Sequence, residues 1–178
     1  MSEIKLELGA GEKAGTNGWV TLDQNETCDI NWNLITGIPF PDESVSIIYS
    51  SHVLEHFTYK EITGLLAECR RVLKQGGVIS ISVPCARFFI DAYVKRDTQY
   101  WDNLPLHWMP AYDNTSSLID LINYIAYMDG HHKYMFDEEN LVQILKIHGF
   151  QNVQLRDFDP ELDSLERKHE SIFAVGTK

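Results

Sequence analysis

Two carboxylates and a pair of glycines near the start of the chain have the residue types and the spacing to hold a nucleoside. Leu6-Glu7-Leu8 reads as an apolar strand carrying one charge, and Gly9-Ala10-Gly11 follows it directly. Glycines at such a turn let the backbone come close to a ligand where side chains would keep it away. A second apolar run, Trp19-Val20-Thr21-Leu22, ends in Asp23. A carboxylate at the carboxyl end of a second strand suits ribose hydroxyls, which donate hydrogen bonds to it. Glu7, inside the first strand, suits an amino or cationic group and would repel a pyrophosphate.

Gly9-Ala10-Gly11-Glu12-Lys13-Ala14 also fits the dinucleotide pattern G-x-G-x-x-G/A. That pattern needs a full helix after the turn, with its N-terminus facing the pyrophosphate. Between Gly11 and Trp19 stand the breakers Gly15, Asn17 and Gly18, which leave room only for a turn or loop. The expected cofactor is therefore S-adenosylmethionine rather than a nicotinamide or a flavin.

His52-Val53-Leu54-Glu55-His56 spells H-x-x-E-H, a zinc pattern in which two histidines share a helix face. Downstream, the sequence offers no third carboxylate ligand that can be located, so no metal site is expected and His56 is read as a hydrogen-bonded histidine packed under the cofactor loop. His52 follows the firmest strand and is the expected general base if the acceptor is a hydroxyl, because imidazole titrates near neutral pH. Asp91, His107, His131 and His132 are the alternatives for that proton.

The elements that must position these residues alternate. Ile4 to Leu8, Trp19 to Leu22 and the short Asp29 to Trp32 read as strands, followed by the β-branched run Val45 to Ser50. A helix is predicted from Tyr59 to Leu73, with Ile62, Leu65, Leu66, Cys69, Val72 and Leu73 at helical spacing and Gly76-Gly77 as its end. Val78 to Val83 is a further buried strand stopped by Pro84. Asp137 to Ile147 reads as a helix closed by His148-Gly149, and Val153 to Arg156 and Ile172 to Val175 as late strands. From 85 to 130 the strand alternation stops and aromatic residues crowd together, which reads as an inserted lid. The fold class that follows is α/β: a Rossmann-like, largely parallel sheet sandwiched by helices, with a shortened first helix, in a single domain over 1–178.

A chain of 178 residues is long enough for one core, and its net charge of −11 disfavours nucleic acid, which draws on clustered Lys and Arg. Arg87, Lys95 and Arg96 form the only local basic patch in view. Three widely spaced cysteines suit reduced thiols better than a disulfide framework. With no membrane segment and no leader visible, the expected location is the cytoplasm; oligomeric state is left open.

Four blocks together resemble a small class I S-adenosylmethionine-dependent methyltransferase of the type 11 group: Leu6 to Gly11, the strand ending at Asp23, Ile38-Pro39-Phe40-Pro41-Asp42 running into Ser50 to Phe57, and Arg70 to Gly77. The resemblance implies that Gly9, Ala10 and Gly11 approach the methionine part of the cofactor, with Glu7 near its amino group and Asp23 on the ribose. It places Asn33 and Leu34 at the adenine, where the group often has Asp in place of Asn33, and Ser51 and His52 beside the sulfonium methyl. The reaction implied is methyl transfer to a small-molecule or sugar-like acceptor. Two alternatives stand beside it: a silent S-adenosylmethionine-binding partner protein, and a zinc-dependent hydrolase using His52 and His56.

Overall fold

In a computed structural model, residues 3–101, 104 and 110–178 are described. Seven strands form one sheet: β1 (Lys5–Leu8), β2 (Trp19–Asp23), β3 (Ile30–Asn31), β4 (Val45–Ser51), β5 (Leu73–Pro84), β6 (Gln151–Leu155) and β7 (Ser171–Thr177). Their order is β3-β2-β1-β4-β5-β7-β6. The first five run parallel, and β7 is antiparallel to both its neighbours. The chain order reverses beside β1, with β2 on one side and β4 on the other, and ligands bind at such switch points outside the carboxyl ends of the strands.

Alternation along the strands divides the sheet into two faces. Leu6, Leu8, Ile48, Ile79 and Ile81 are fully buried beneath α1 (Tyr59–Val72) and α6 (Glu138–Ile147), which contribute Ile62, Leu65, Leu66, Leu141 and Leu145 to the same core. Burying each such side chain stabilises the fold by about 1.5–3 kcal/mol relative to leaving it in water. Thr58 and Glu61 form a capping box that starts α1, and Asp137 caps α6 by accepting the N–H of Asn140 at 2.7 Å. On the opposite face lie Glu7, Thr21, Tyr49 and Ser80, neighbours in register. The segment between β6 and β7 crosses that face: Arg156 donates to Ser80 Oγ (3.0 Å), and Asp163 accepts from Tyr49 Oη (3.1 Å).

The alternating α/β architecture and the missing first helix agree with the sequence: no helix intervenes between β1 and β2. Gly76-Gly77 does not end the helix. α1 stops at Val72, and Gly76 (φ +74°) lies inside β5, where the pairing with β4 shifts register; a glycine within a strand absorbs such an irregularity.

Residues 85–130 contain α2 (Ala86–Lys95), α3 (Thr98–Trp101), α4 (Pro110–Thr115) and α5 (Leu118–Tyr127). Phe89, Trp101, Leu121, Tyr124 and Ile125 build a second core of their own. Both ends are fastened to the body. Cys85 N–H donates to the Glu170 carbonyl, Arg87 pairs with Glu138, and His132 donates to the Ile125 carbonyl. Arg87 also meets Asp91, as does Lys95 at 3.8 Å, so the basic patch is answered by acids. Cys28, Cys69 and Cys85 are buried free thiols.

Candidate active site

β1 ends at Leu8, and the chain then hooks onto β2 through Gly9 N–H, which donates to the Leu22 carbonyl (2.8 Å). Gly9 (φ +67°) lies in the left-handed region, and a Cβ there would stand 2.1 Å from Val53 Cγ2. Glycine is thus needed for both conformation and space. Gly11 (φ +64°) is different, because a Cβ would meet nothing within 4 Å. The open side of the loop faces a cavity of about 820 Å³, a size that accepts a nucleoside-sized ligand.

Of the residues singled out in the sequence, Glu7, Gly9, Ala10, Gly11, Asp23, Leu34, Ser51 and His52 all line this cavity. Asp23 faces it at the end of β2. Its Oδ2 accepts the Gly11 N–H at 2.8 Å and its Oδ1 the Gln24 N–H at 2.5 Å. A carboxylate has about four lone-pair sites, so acceptor capacity remains for hydroxyl donors. Glu7 Oε1 accepts from Lys13 Nζ at 3.1 Å. Lys13 is largely solvent-exposed, so the pair is weak and exchangeable; it shows that the Glu7 carboxylate is open to an ammonium group.

Asn33 is not brought into the cavity. Its Oδ1 caps the single helical turn Leu34–Thr36 by accepting the Ile35 N–H at 3.0 Å. The adenine contact read from its position is therefore corrected: an amide oxygen committed to a cap is not aimed at a base. Trp32, unremarked in the sequence, lines the cavity beside Leu34.

His52 borders the cavity with φ +54° and a side chain 5% exposed. Its Nε2 lies 2.7 Å from Ser171 Oγ, which itself donates to the Arg167 carbonyl at 2.6 Å. Because that hydroxyl proton is spent, Nε2 carries the hydrogen and Nδ1 the lone pair, facing Glu55 Oε1 at 3.5 Å. Burial first, then the Arg167 charge, holds the ring's pKa well below its usual value. Burial pushes the Glu55 carboxyl up to about 8. The general-base role expected of His52 thus meets a buried neutral ring whose Nε2 is tied to Ser171 and whose Nδ1 faces Glu55 rather than open solvent. Among its alternatives, Asp91 is paired with Arg87, His132 is buried, and His107 lies outside the described residues.

His52 and His56 do not share a helix. β4 ends at Ser51 and only Leu54–His56 forms a helical turn, so the H-x-x-E-H arrangement of a zinc hydrolase is not built and that alternative is not supported. A different trio, Glu55, His56 and His132, brings its ligand atoms within 4.8 Å of one another beside the cavity.

The far wall was missed by the sequence reading. Pro160 to Arg167, in the segment between β6 and β7, closes the cavity opposite the glycine loop. The available signal was length: such a stretch without periodicity is longer than a hairpin needs, and loops of that size usually serve function. No described residue of the insertion lines the main cavity; Tyr124 and Met128 line a smaller one of about 140 Å³ that shares His52, His56 and Arg167 with it.

Glu170 stands under this wall with neither carboxylate oxygen hydrogen-bonded among the described residues. Burial raises its pKa to about 7, partly offset by Arg167. The folded state then holds a proton that the unfolded chain releases above about pH 4.5. The associated stability is full below that pH and is lost as pH rises through 7. Glu170→Gln should accordingly stabilise the protein by about 1–2 kcal/mol at pH 8 and by almost nothing at pH 4. Urea unfolding at the two pH values checks this.

The comparisons agree with this geometry. A family signature described as "Methyltransferase domain" matches residues 7–81, the stretch holding the glycine loop, Asp23, β4 and α1. A S-adenosylmethionine-dependent methyltransferase of Archaeoglobus fulgidus has a similar fold, at 18% identity and TM-score 0.60, with 99% of this chain and 86% of that chain covered. One from Mesorhizobium loti has 14% identity and TM-score 0.58, covering 99% and 90%. Phosphoethanolamine N-methyltransferase 2 of Haemonchus contortus, in complex with S-adenosylmethionine, has 11% identity and TM-score 0.58, covering 99% of this chain and 48% of that one. No curated protein matches this chain in sequence. No helix among its described residues is long and apolar enough to cross a membrane.

Proposed function

We propose that the protein is a type 11-like S-adenosylmethionine-dependent methyltransferase that acts on a small hydroxylated, sugar-like acceptor held between the His52–Phe57 segment and the 160–167 wall. In this reading Glu7 receives the cofactor's amino group, Gly9, Ala10 and Gly11 pass close to its methionine part, and Asp23 takes the ribose hydroxyls. Leu34, with Trp32, flanks the adenine in place of Asn33, and Ser51 and His52 border the sulfonium methyl. The observation that carries it is the convergence of Glu7, the glycine loop and Asp23 on one cavity with space for a second small molecule.

A sulfonium methyl is already activated, so the enzyme chiefly aligns the acceptor with the sulfur and excludes water. His52, tied to Ser171, acts as a fixed wall that positions the acceptor; it takes a proton only if that hydrogen bond opens. On the acceptor side, Glu161 and Glu166 offer carboxylates to hydroxyl or amino groups. Lining acids and a net charge of −11 favour such an acceptor over nucleic acid. The insertion 85–130 serves as a lid through Tyr124 and Met128, within a single domain.

The test is S-adenosylhomocysteine release across panels of sugars, amino sugars, small alcohols and RNA. Turnover with hydroxylated small molecules and none with RNA is expected. Turnover confined to RNA or protein substrates overturns the acceptor assignment.

A further inference from the structure

Beside the methyl-transfer cavity lies a cluster whose hydrogen bonding is incomplete in a specific way. Glu55 is 1% exposed, and neither of its carboxylate oxygens takes a hydrogen bond among the described residues; its Oε1 lies 3.5 Å from His52 Nδ1. A buried carboxylate left so is costly unless something else satisfies it. His56 and His132 face it across a small cavity.

The tautomers of the two histidines follow from their partners. His56 Nδ1 lies 3.0 Å from the His131 carbonyl and His132 Nδ1 2.9 Å from the Ile125 carbonyl. A carbonyl only accepts, so each Nδ1 carries the hydrogen and each Nε2 presents a lone pair. Imidazole that donates its second N–H to a backbone carbonyl is the arrangement of metal-ligating histidine. The backbone holds the group together, since the Glu55 carbonyl accepts N–H from both Lys133 (2.7 Å) and Tyr134 (3.2 Å). That pairing fixes His132 beside Glu55 and His56 although they are far apart in the chain.

We propose that Glu55, His56 and His132 form a binding site for a divalent transition-metal ion of the zinc class. Two imidazole nitrogens and one carboxylate oxygen are a donor set suited to zinc, with at least one coordination position left open. At bond lengths of about 2.0–2.2 Å the ligand atoms stand roughly 3.3 Å apart, which small rotamer changes reach from within 4.8 Å. The ion clamps the start of the His131–Tyr134 segment, where the insertion rejoins the body, to the segment following β4. Arg167 also lines the cavity, and its positive charge favours the ionised form of Glu55, the form that ligates a metal. The site differs from the zinc pattern of the sequence, because His52 is held by Ser171 and takes no part.

Cobalt(II) titration of the full chain after chelator treatment tests this directly, with metal binding rather than methyl transfer as the readout. One equivalent should bind and give visible d–d bands, which one equivalent of zinc abolishes. Glu55→Gln and His132→Asn should each weaken binding by more than about 100-fold, beyond what loss of an outer-shell partner costs, while His148→Asn leaves it unchanged. Zinc at a hundredfold excess over its Kd should raise the wild-type Tm by about 5–10 °C, a measurement that needs no variant to fold. Absence of both bands and Tm shift in the wild-type protein, or bands that survive Glu55→Gln, overturns the assignment.

Discussion

Asp163→Ala should cost the fold about 3–5 kcal/mol, because it removes one partner of a buried ion pair and leaves the other uncompensated. The Asp163 side chain is 2% exposed and that of Arg156 16%. Arg156 grips it with two nitrogens at 2.6 and 2.7 Å, and the Asp159 N–H (2.8 Å) and Tyr49 hydroxyl (3.1 Å) donate to it as well. Alanine leaves the Arg156 fork with only Ser80 Oγ and the Asp157 carbonyl and leaves the Tyr49 hydroxyl without its acceptor. Because these bonds hold the 160–167 wall against the sheet, cofactor affinity should fall along with stability. Asp163→Asn keeps the shape and should lose less. Urea unfolding measures the first effect and calorimetry with S-adenosylhomocysteine the second; a stability loss under about 1 kcal/mol would show that the wall is held by something else.

Asp23→Ala should weaken S-adenosylhomocysteine binding about 10- to 100-fold, equivalent to roughly 1.4–2.8 kcal/mol, the range for a hydrogen-bonded charged group. Two effects add. On the proposed placement the ribose hydroxyls lose a charged acceptor, and the Gly11 N–H loses the carboxylate that fixes the loop. Asp23→Asn separates them, since an amide oxygen can still hold Gly11 while one acceptor oxygen becomes a donor; its loss should be intermediate. Thermal unfolding should change little for either variant, because Asp23 lies at the cavity rim rather than in the core.

The parts of the site that the sequence revealed share one property: their chemistry is local. Glu7, Gly9 to Gly11 and Asp23 sit on two short strands and the turns that follow them, so strand period and breakers suffice to bring them to one end of the sheet. Non-local partnerships were hidden. Asp163 and Tyr49 are 114 positions apart and His52 and Ser171 are 119 apart, and no periodicity announces either. His52 was legible as a cavity residue, whereas the engagement of its Nε2 depends on Ser171 of β7. Asn33 was misread because cap and ligand contact call for the same amide at the same turn. The aromatic residues of 85–130 were legible as a cluster, yet composition alone does not say that Phe89, Trp101 and Tyr124 pack on one another rather than on the main cavity. Gly76 was read as a helix end since a strand-interior glycine carries the same sequence signature.

Isothermal titration of the wild-type protein with S-adenosylhomocysteine, repeated on Asp23→Ala, tests the central placement most directly. One molecule should bind per chain, with affinity reduced at least tenfold in the variant. Saturable binding that is indifferent to Asp23, or no binding to the folded wild-type chain, would contradict the placement of the cofactor between Glu7, the glycine loop and Asp23.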